Sequence, residues 1–299
     1  MSPAGTMASG GGRRMAPGTA AALVVVGAIV LGAVAAPWLT DLSPLDQDLG
    51  GLNRGPSAEH LLGTDVLGRD ILARLLWGAR TTLMVGTLGT LLAFALGAGV
   101  GLAAIVFGRL TETLWFAVID LVRALPATLL GVLLIVALGS GMAPVVIALG
   151  LSYAPLVALV VRTAHAREAA RDYVAAAASF GGGRLHVLVH HILPNLAGTL
   201  VTQAAIVLPR CIVTESVLSF LGLGSSPDEP TWGRMIADAS RFIEKAPHAI
   251  LAPIVALVVL TTALSILGGR LRRALDPTRA AVAPAEPSAA ILAGEGALS

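Results

Sequence analysis

The chain has 299 residues, of which 56% are hydrophobic and only 13% charged, and its formal net charge is +2. Soluble domains carry about 25% charged residues, so a large part of this surface must face something other than water. The small net charge gives no support for a nucleic-acid partner. Composition therefore predicts an integral membrane protein that contacts the lipid bilayer directly.

The N-terminal region divides into a small-residue tail and an apolar run. Residues 1–19 are rich in Gly, Ser and Pro and are predicted to be a disordered tail. Within the following run, Ala20–Ala36, the triplet Ala33-Val34-Ala35 is similar to a signal-peptide cleavage site. The run is long for a signal peptide, and Pro37 follows it closely. We favour an uncleaved first transmembrane helix, with cleavage as the alternative.

Five further apolar runs each come close to or exceed the roughly 20 helical residues that cross a bilayer core. The runs are continuous rather than alternating, which indicates helices and not the strands of a membrane barrel. They predict an all-α membrane protein, a polytopic bundle of about six transmembrane helices. The five runs are Thr81–Phe107, Leu114–Leu138, Pro144–Val161, Leu196–Leu221 and Ala249–Leu267.

Glycine and alanine recur at every fourth position of the second run, at Gly89, Ala93, Gly97 and Gly101. Such a stripe lets another helix backbone approach closely. We favour a tight contact within the chain, and a contact between subunits is the alternative.

The arginines and the lysine of the loops set the orientation, because cytoplasmic loops of membrane proteins are enriched in basic residues. If the first helix runs outward, eleven basic residues lie inside and seven outside. This predicts cytoplasmic termini. The expected division is a cytoplasmic tail over 1–19, the first helix and an outer loop over 20–80, a transmembrane domain over 81–270 with an inner loop over 162–195, and a cytoplasmic tail over 271–299.

The inner loop has the pattern of two short helices. Asp172–Phe180 is Ala-rich and is stopped by three glycines, residues 181–183. Arg184–Ile192 then predicts a separate amphipathic helix before Pro194 opens the next span. Its apolar face is predicted to comprise Leu185, Leu188, Val189 and Ile192. A helix–turn–helix that projects from a membrane protein has the form of a docking surface, and a solvated loop without a partner is the alternative.

Three stretches of sequence together resemble a known family. The inner stretch Tyr173-Val174-Ala175-Ala176-Ala177, followed by Gly181 and by Leu193-Pro194, resembles the EAA loop of permease subunits of bacterial ABC importers. His60-Leu61-Leu62-Gly63-Thr64-Asp65 with Gly68-Arg69-Asp70 is similar to a segment of the C-type subunit in the dipeptide, oligopeptide and nickel branch. Leu218-Ser219-Phe220-Leu221-Gly222-Leu223-Gly224 resembles a signature of the same subunit.

The resemblance implies a type I importer fold and a set of partners. It implies a second homologous permease subunit, two ATP-binding subunits and an extracytoplasmic solute-binding protein. The inner loop would receive the force of ATP hydrolysis. The residues that the resemblance assigns to this ATPase-coupling loop are Asp172, Tyr173, Ala175, Ala176, Ala177, Gly181, Leu193 and Pro194.

One residue departs from the family pattern. Ala175 stands where the family has the glutamate that gives the loop its name, and Glu168 or Asp172 could substitute for it.

The chain is predicted to hold neither ATP nor a metal. A Walker A loop needs a lysine after a glycine loop, and the single lysine, Lys245, has no glycine loop before it. We therefore expect no enzyme activity and no cofactor on this chain, with ATP and Mg²⁺ bound by the partner ATPase. His186 and His190 have a spacing that can bind metal, but we favour a polar docking face.

Several polar residues lie inside the apolar runs, where a lone charge costs about 2.5–3.5 kcal/mol by insertion scales. Asp120 and Arg123 share a helix face and are expected to pair or to face a cavity. Arg210 and Glu215 are expected to point to different sides, and the resemblance does not place Arg210. Asp120, Arg123 and Glu215 are candidates for the translocation pathway, with helix packing as the alternative. Cys211 is predicted to be a small buried residue.

Two other functional classes would require different sequence features. A secondary transporter driven by an ion gradient would predict an internal repeat, and none is evident. An intramembrane enzyme would need a nucleophile–base or metal-ligand pair in the spans, and the polar residues there do not form one. We expect the transported substrate to be a peptide, with nickel or other small solutes as the alternatives.

Overall fold

A computed structural model describes residues 16–275 apart from 41, 225, 227 and 228. Residues 1–15 of the predicted tail over 1–19 and the segment 276–299 lie outside the described residues, and the last three residues of that predicted tail belong to the first helix. Within the described residues, every regular element is helical, and the only β-type pairing is an isolated bridge between Thr64 and Asp70. The elements are α1 (Pro17–Leu39), α2 (Ile71–Phe107), α3 (Arg109–Arg123), α4 (Ala127–Leu138), α5 (Met142–Ala169), α6 (Asp172–Ser179), α7 (Arg184–Val187), a π-helical segment (Leu188–Ile192), α8 (Leu193–Phe220), α9 (Trp232–Ser240) and α10 (Pro247–Leu275).

The prediction of about six transmembrane helices is confirmed. α1, α2, α5, α10 and the continuous stretch Arg184–Phe220 are each long and apolar enough to cross a membrane. α3 and α4 meet that test only as a pair, and they are bent by 92°. The sequence predicts one span over Leu114–Leu138 that Pro126 interrupts, and the interruption is a sharp bend between two helices rather than an ordinary kink. Pro126 lies at the break, where it lacks an N–H and disfavours helical geometry in the residue before it.

Several spans are longer than their apolar runs. α2 begins at Ile71, because Asp70 caps the helix by accepting a hydrogen bond from Ala73 N at 2.7 Å. At its C-terminal end α5 continues past Val161 to Ala169, and α10 continues to Leu275. These helices therefore extend into the segments expected to form the outer loop, the inner loop and the C-terminal tail, because polar residues in the helix ends do not interrupt the helix.

The small-residue stripe of α2 packs against α5, which confirms a contact within the chain. A Cβ atom at Gly97 would clash with the carbonyl oxygen of Ala154, and one at Gly89 would lie 2.8 Å from Leu149 Cβ. Ala93 is fully buried. Since α2 and α5 form the most extensive helix pair, this close approach organises the bundle. α8, α10 and α1 pack around it.

The separate amphipathic helix over Arg184–Ile192 is not found as predicted, because α7 runs through the π-helical segment into α8 as one rod. Leu193 N bonds to Leu188 O across the wider π turn, next to Pro194, which has no N–H to donate. The extra residue in that turn changes which side chains face inward. Leu188 and Ile192 are buried, whereas Leu185 and Val189 are exposed.

Candidate functional site

The inner loop folds into an elbow that projects from the bundle. We use "the elbow" for α6, the glycine turn over 180–183 and α7. Val174 and Val187 anchor it in a small apolar cluster against the bundle. At its tip Phe180 is 92% exposed, an unusual state for a large apolar side chain. Gly181 follows with φ +89°, a left-handed conformation that glycine adopts without strain.

A polar cluster holds the base of the elbow. The Tyr173 hydroxyl donates to Glu168 Oε1 at 2.7 Å and lies 3.2 Å from the carbonyl oxygen of His191. Asn195 donates through Nδ2 to the Tyr173 hydroxyl at 3.1 Å. Arg171 forms an ion pair with the buried Glu168 at 3.3 Å. Partial desolvation and the Glu168 carboxylate raise the pKa of Tyr173, so this hydroxyl keeps its proton at neutral pH.

The residues assigned to the coupling loop lie on this elbow and at its junction with α8. Ala175, Ala176 and Gly181 are exposed, whereas Ala177 is partly buried. The Tyr173–Asn195 hydrogen bond joins the start of the elbow to the start of α8, where the loop residues Leu193 and Pro194 lie. Asp172 is exposed in the first turn of α6. Glu168 is occupied by Tyr173 and Arg171, so of the two expected substitutes for the missing glutamate only Asp172 is free at the surface.

The histidines of the elbow stack on one another. The rings of His186 and His190 lie 4.4 Å apart, and the ring of His191 lies edge-on to His186 at 5.9 Å. No group of three or more His, Cys, Asp or Glu side chains within the described part of the chain has the arrangement of a metal site. The histidines therefore form a polar surface beside the glycine turn.

The charged residues of the spans have different surroundings. Asp120 and Arg123 form the expected ion pair at 3.0 Å on the exposed face of α3. Glu215 is fully buried, and its carboxylate accepts hydrogen bonds from Ser219 at 2.7 Å and Ser216 at 3.3 Å. Cys211 is buried, as predicted. The pathway roles of Asp120, Arg123 and Glu215 stay predictions.

A buried ion cluster on the opposite side of the bundle was missed by the sequence analysis. Arg69 bonds to Asp65 at 2.7 Å and to Asp238 at 2.9 Å, and Arg74 lies 3.6 Å and 3.4 Å from the same two carboxylates. We call these four residues the outer ion cluster. It ties the segment before α2 to α9. The family-like stretch around Asp65 was its only sequence signal.

A further polar feature of the bundle is a cleft between α5, α8 and α10. It has a volume of about 510 Å³, and Arg210 lies in its wall. A second cleft of about 330 Å³ adjoins it and shares Ile206 and Arg272. We call the two together the α8 cleft. The sequence signal that could have found it is the spacing of polar residues along α8, at Thr199, Thr202, Gln203, Arg210 and Thr214.

The helical bundle, its broken third span and the projecting elbow together define a polytopic transport permease. Residues 72–280 match the family described as binding-protein-dependent transport system inner membrane component. The chain belongs to this family, whose members are the membrane-spanning permease subunits of ATP-binding-cassette importers.

Curated relatives cover most of the chain. A dipeptide transport system permease protein of Alkalihalophilus pseudofirmus is 33% identical over 85% of this chain and 84% of its own length. A putative peptide transport system permease protein of Brucella suis is 36% identical over 85% and 86%. A glutathione transport system permease protein of Pectobacterium atrosepticum is also 36% identical, over 85% and 86%.

A solved structure supports the fold. The methionine ABC transporter MetNI in an inward-facing conformation contains a chain that superposes with a TM-score of 0.57 at 22% identity. The match covers 68% of this chain and 96% of that one. The protein therefore has the architecture of a type I importer permease.

Proposed function

We propose that this permease imports peptides as one of two homologous membrane subunits, together with two ATP-binding subunits and an extracytoplasmic solute-binding protein. The three relatives described above are named for dipeptide, peptide and glutathione transport, which favours peptides over nickel or other small solutes. The family and its fold give no support to the alternative of an ion-gradient transporter. In this assembly the chain contributes half of the translocation pathway.

The exposed tip of the elbow supports the proposal that the ATPase docks there. A large apolar side chain, Phe180, lies outside the bundle, and small residues surround it at Ala175, Ala176 and Gly181. Such a surface can enter a groove on a partner and bury Phe180. The cluster of Glu168, Tyr173 and Asn195 ties the base of the elbow to α8, so a push on the tip would reach a spanning helix.

The proposed orientation follows from the docking role. ATP is cytoplasmic, so an elbow that contacts an ATPase lies in the cytoplasm. α8 and α10 then place the C-terminal segment on the same side, and both termini are cytoplasmic. Lys245 lies exposed in the turn over 241–245, away from any glycine loop. ATP and Mg²⁺ would therefore be bound by the partner subunits, and this chain would act without a catalytic site or cofactor.

The test places a charge in the docking surface. Ala176→Asp on exposed α6 would bury a carboxylate in the interface, which is costly without a partner. We expect peptide uptake to fall about tenfold or more and the ATPase subunits to be lost on copurification. The amount of permease in the membrane should not change, because Ala176 makes no core contact. Gly181→Arg should have the same effect through strain at the left-handed turn and added bulk.

Ala170→Asp is the matched control, because it adds the same charge at an exposed position at the base of the elbow. It should keep uptake and the ATPase subunits. Wild-type uptake by Ala176→Asp and Gly181→Arg would refute the docking role. Uptake of peptide by the purified chain alone, driven by an ion gradient, would refute the importer.

A further inference from the structure

One face of α8 carries several polar residues among apolar ones. Thr199, Thr202, Gln203, Arg210 and Thr214 all line the α8 cleft, together with the apolar Ile206 and Val213. Residues three or four positions apart lie on one side of a helix. In a chain of 56% hydrophobic residues, an arginine and several hydroxyl and amide side chains on one face of a spanning helix indicate contact with water or a polar ligand, not with lipid.

Arg210 lies deep in the membrane on this face. It precedes the end of α8 at Phe220 by ten residues, about 15 Å along a helix. The hydrocarbon core is about 30 Å thick, so Arg210 lies near its middle. Thr261, on the opposite wall, lies midway between the ends of α10, which agrees with this depth. Lipid phosphates lie at the bilayer surface and are too far away to neutralise the guanidinium.

No carboxylate of the described residues pairs with this arginine. Among them, the ion pairs involve His60 or other arginines, and Arg210 is exposed to the cleft. Arg272 lies exposed near the inner end of α10, and Arg167 lines the adjoining part of the cleft. Neither forms an ion pair within the described ranges. Three cations along one cleft give it a positive potential, which attracts anions.

The wall beside Arg210 is suited to a polar ligand. The Tyr153 hydroxyl and Thr214 Oγ1 lie 2.8 Å apart, and Tyr153 lies 3.4 Å from the carbonyl oxygen of Arg210. The larger part of the cleft, about 510 Å³, falls within the range of small-molecule sites. A guanidinium binds a carboxylate through two parallel N–H···O bonds, a geometry that lysine does not reproduce.

We propose that Arg210 binds the carboxylate of the transported solute inside the membrane, with Tyr153 and Thr214 as the polar wall beside it. This inference rests on the proposed function, because a free peptide carries a C-terminal carboxylate. An ion pair with the second permease would need one arginine, whereas here two further arginines line the same cleft. The cleft thus selects solutes with a negative group after the binding protein has delivered them.

The test compares alanylalanine with its C-terminal amide in the complete importer, reconstituted in proteoliposomes. Arg210→Gln should lower uptake of alanylalanine about tenfold or more, the effect of losing one charge-assisted interaction. Uptake of the amide should change less than about twofold. Any preference of the binding protein for one peptide cancels, since each variant is compared with the wild type on the same peptide. Arg210→Lys should restore part of the uptake of alanylalanine, because it restores the positive charge but not the two parallel hydrogen bonds. Uptake of the amide should again stay within about twofold of the wild type.

Arg270→Gln is the matched control, because Arg270 is exposed on α10 and lines neither part of the cleft. It should transport both peptides as the wild type does. Equal losses for both peptides in Arg210→Gln, or wild-type uptake of alanylalanine, would overturn the carboxylate site. Loss of the second permease on copurification of Arg210→Gln would overturn it in favour of an interface ion pair. Absence of uptake by the wild type would instead contradict the peptide function itself.

Discussion

The arginines of the outer ion cluster and those of the α8 cleft have the same chemistry but opposite surroundings. Arg69 and Arg74 are 7% and 2% exposed and share the carboxylates of Asp65 and Asp238. Arg210 and Arg272 are exposed to the cleft, and no carboxylate of the described residues pairs with them. A buried charge needs a fixed partner, whereas an exposed charge in a cleft is available to a ligand.

The comparison separates a structural use of arginine from a functional one. The outer ion cluster joins two segments that are far apart in the sequence, and each of its arginines has a carboxylate partner within the fold. The α8 cleft leaves its charges accessible, and their partner arrives with the solute. Stability measurements should therefore respond strongly to changes in the first group and weakly to changes in the second.

The largest effect on stability is expected from Asp65→Asn. The Asp65 carboxylate accepts from Arg69 Nε at 2.7 Å, and an amide NH₂ at that position would face this donor. Arg69 and Arg74 would keep their charge while losing a buried partner, which costs about 3–5 kcal/mol. We expect a clear fall in the unfolding temperature of the purified protein in detergent and in its level in the membrane.

The control for that experiment is Glu59→Gln, which removes an exposed carboxylate from the same segment. Its unfolding temperature should match the wild type. If Asp65→Asn were as stable as the wild type, the outer ion cluster would have no structural role.

A smaller effect is expected from Asp238→Asn. Asp238 Oδ2 accepts from Arg69 at 2.9 Å and from Arg74 at 3.4 Å, but its side chain is 29% exposed, so water screens the interaction. Asp65 remains as a partner for both arginines. We expect a loss of about 1–2 kcal/mol, seen as an unfolding temperature between those of Asp65→Asn and the wild type.

Glu244→Gln, an exposed carboxylate in the turn after α9, serves as the control here and should not change the unfolding temperature. A loss as large as that of Asp65→Asn would mean that the two carboxylates act as one unit.

Features set by residues close together in the sequence were predicted better than features that depend on residues far apart. Long apolar runs and the stripe through Gly97 depend on local spacing, and both were predicted correctly. The bend at Pro126 is larger than an ordinary kink, and a proline inside an apolar run is compatible with either. The extra residue of the π turn before Pro194 changed the buried face of α7, and no local pattern signals such a turn.

The candidate sites divide in the same way. The elbow was located from its glycines and its family-like stretch, which are local. The Arg69–Asp238 pair joins residues 169 positions apart, and only the folded chain brings them together. Arg210 could be recognised as a charge inside a span, but its neighbours Tyr153 and Thr261 come from two other helices. Pairing between residues distant in the sequence and the formation of clefts are thus the features that the sequence alone did not determine.

The smallest effect on stability is expected from Arg272→Gln, which gives the sharpest form of the comparison. Arg272 is exposed near the C-terminal end of α10 and lines both parts of the α8 cleft. Exposed substitutions without a fixed partner usually change stability by no more than about 0.5 kcal/mol. Glutamine keeps the polar character and most of the length of the side chain, so the packing of α10 on α8 should persist. The unfolding temperature in detergent should match the wild type, with Asp65→Asn measured in parallel as the destabilised reference. A loss comparable to that of Asp238→Asn would show that Arg272 has a structural partner, and the distinction between paired and ligand-accessible arginines would then fail at this position.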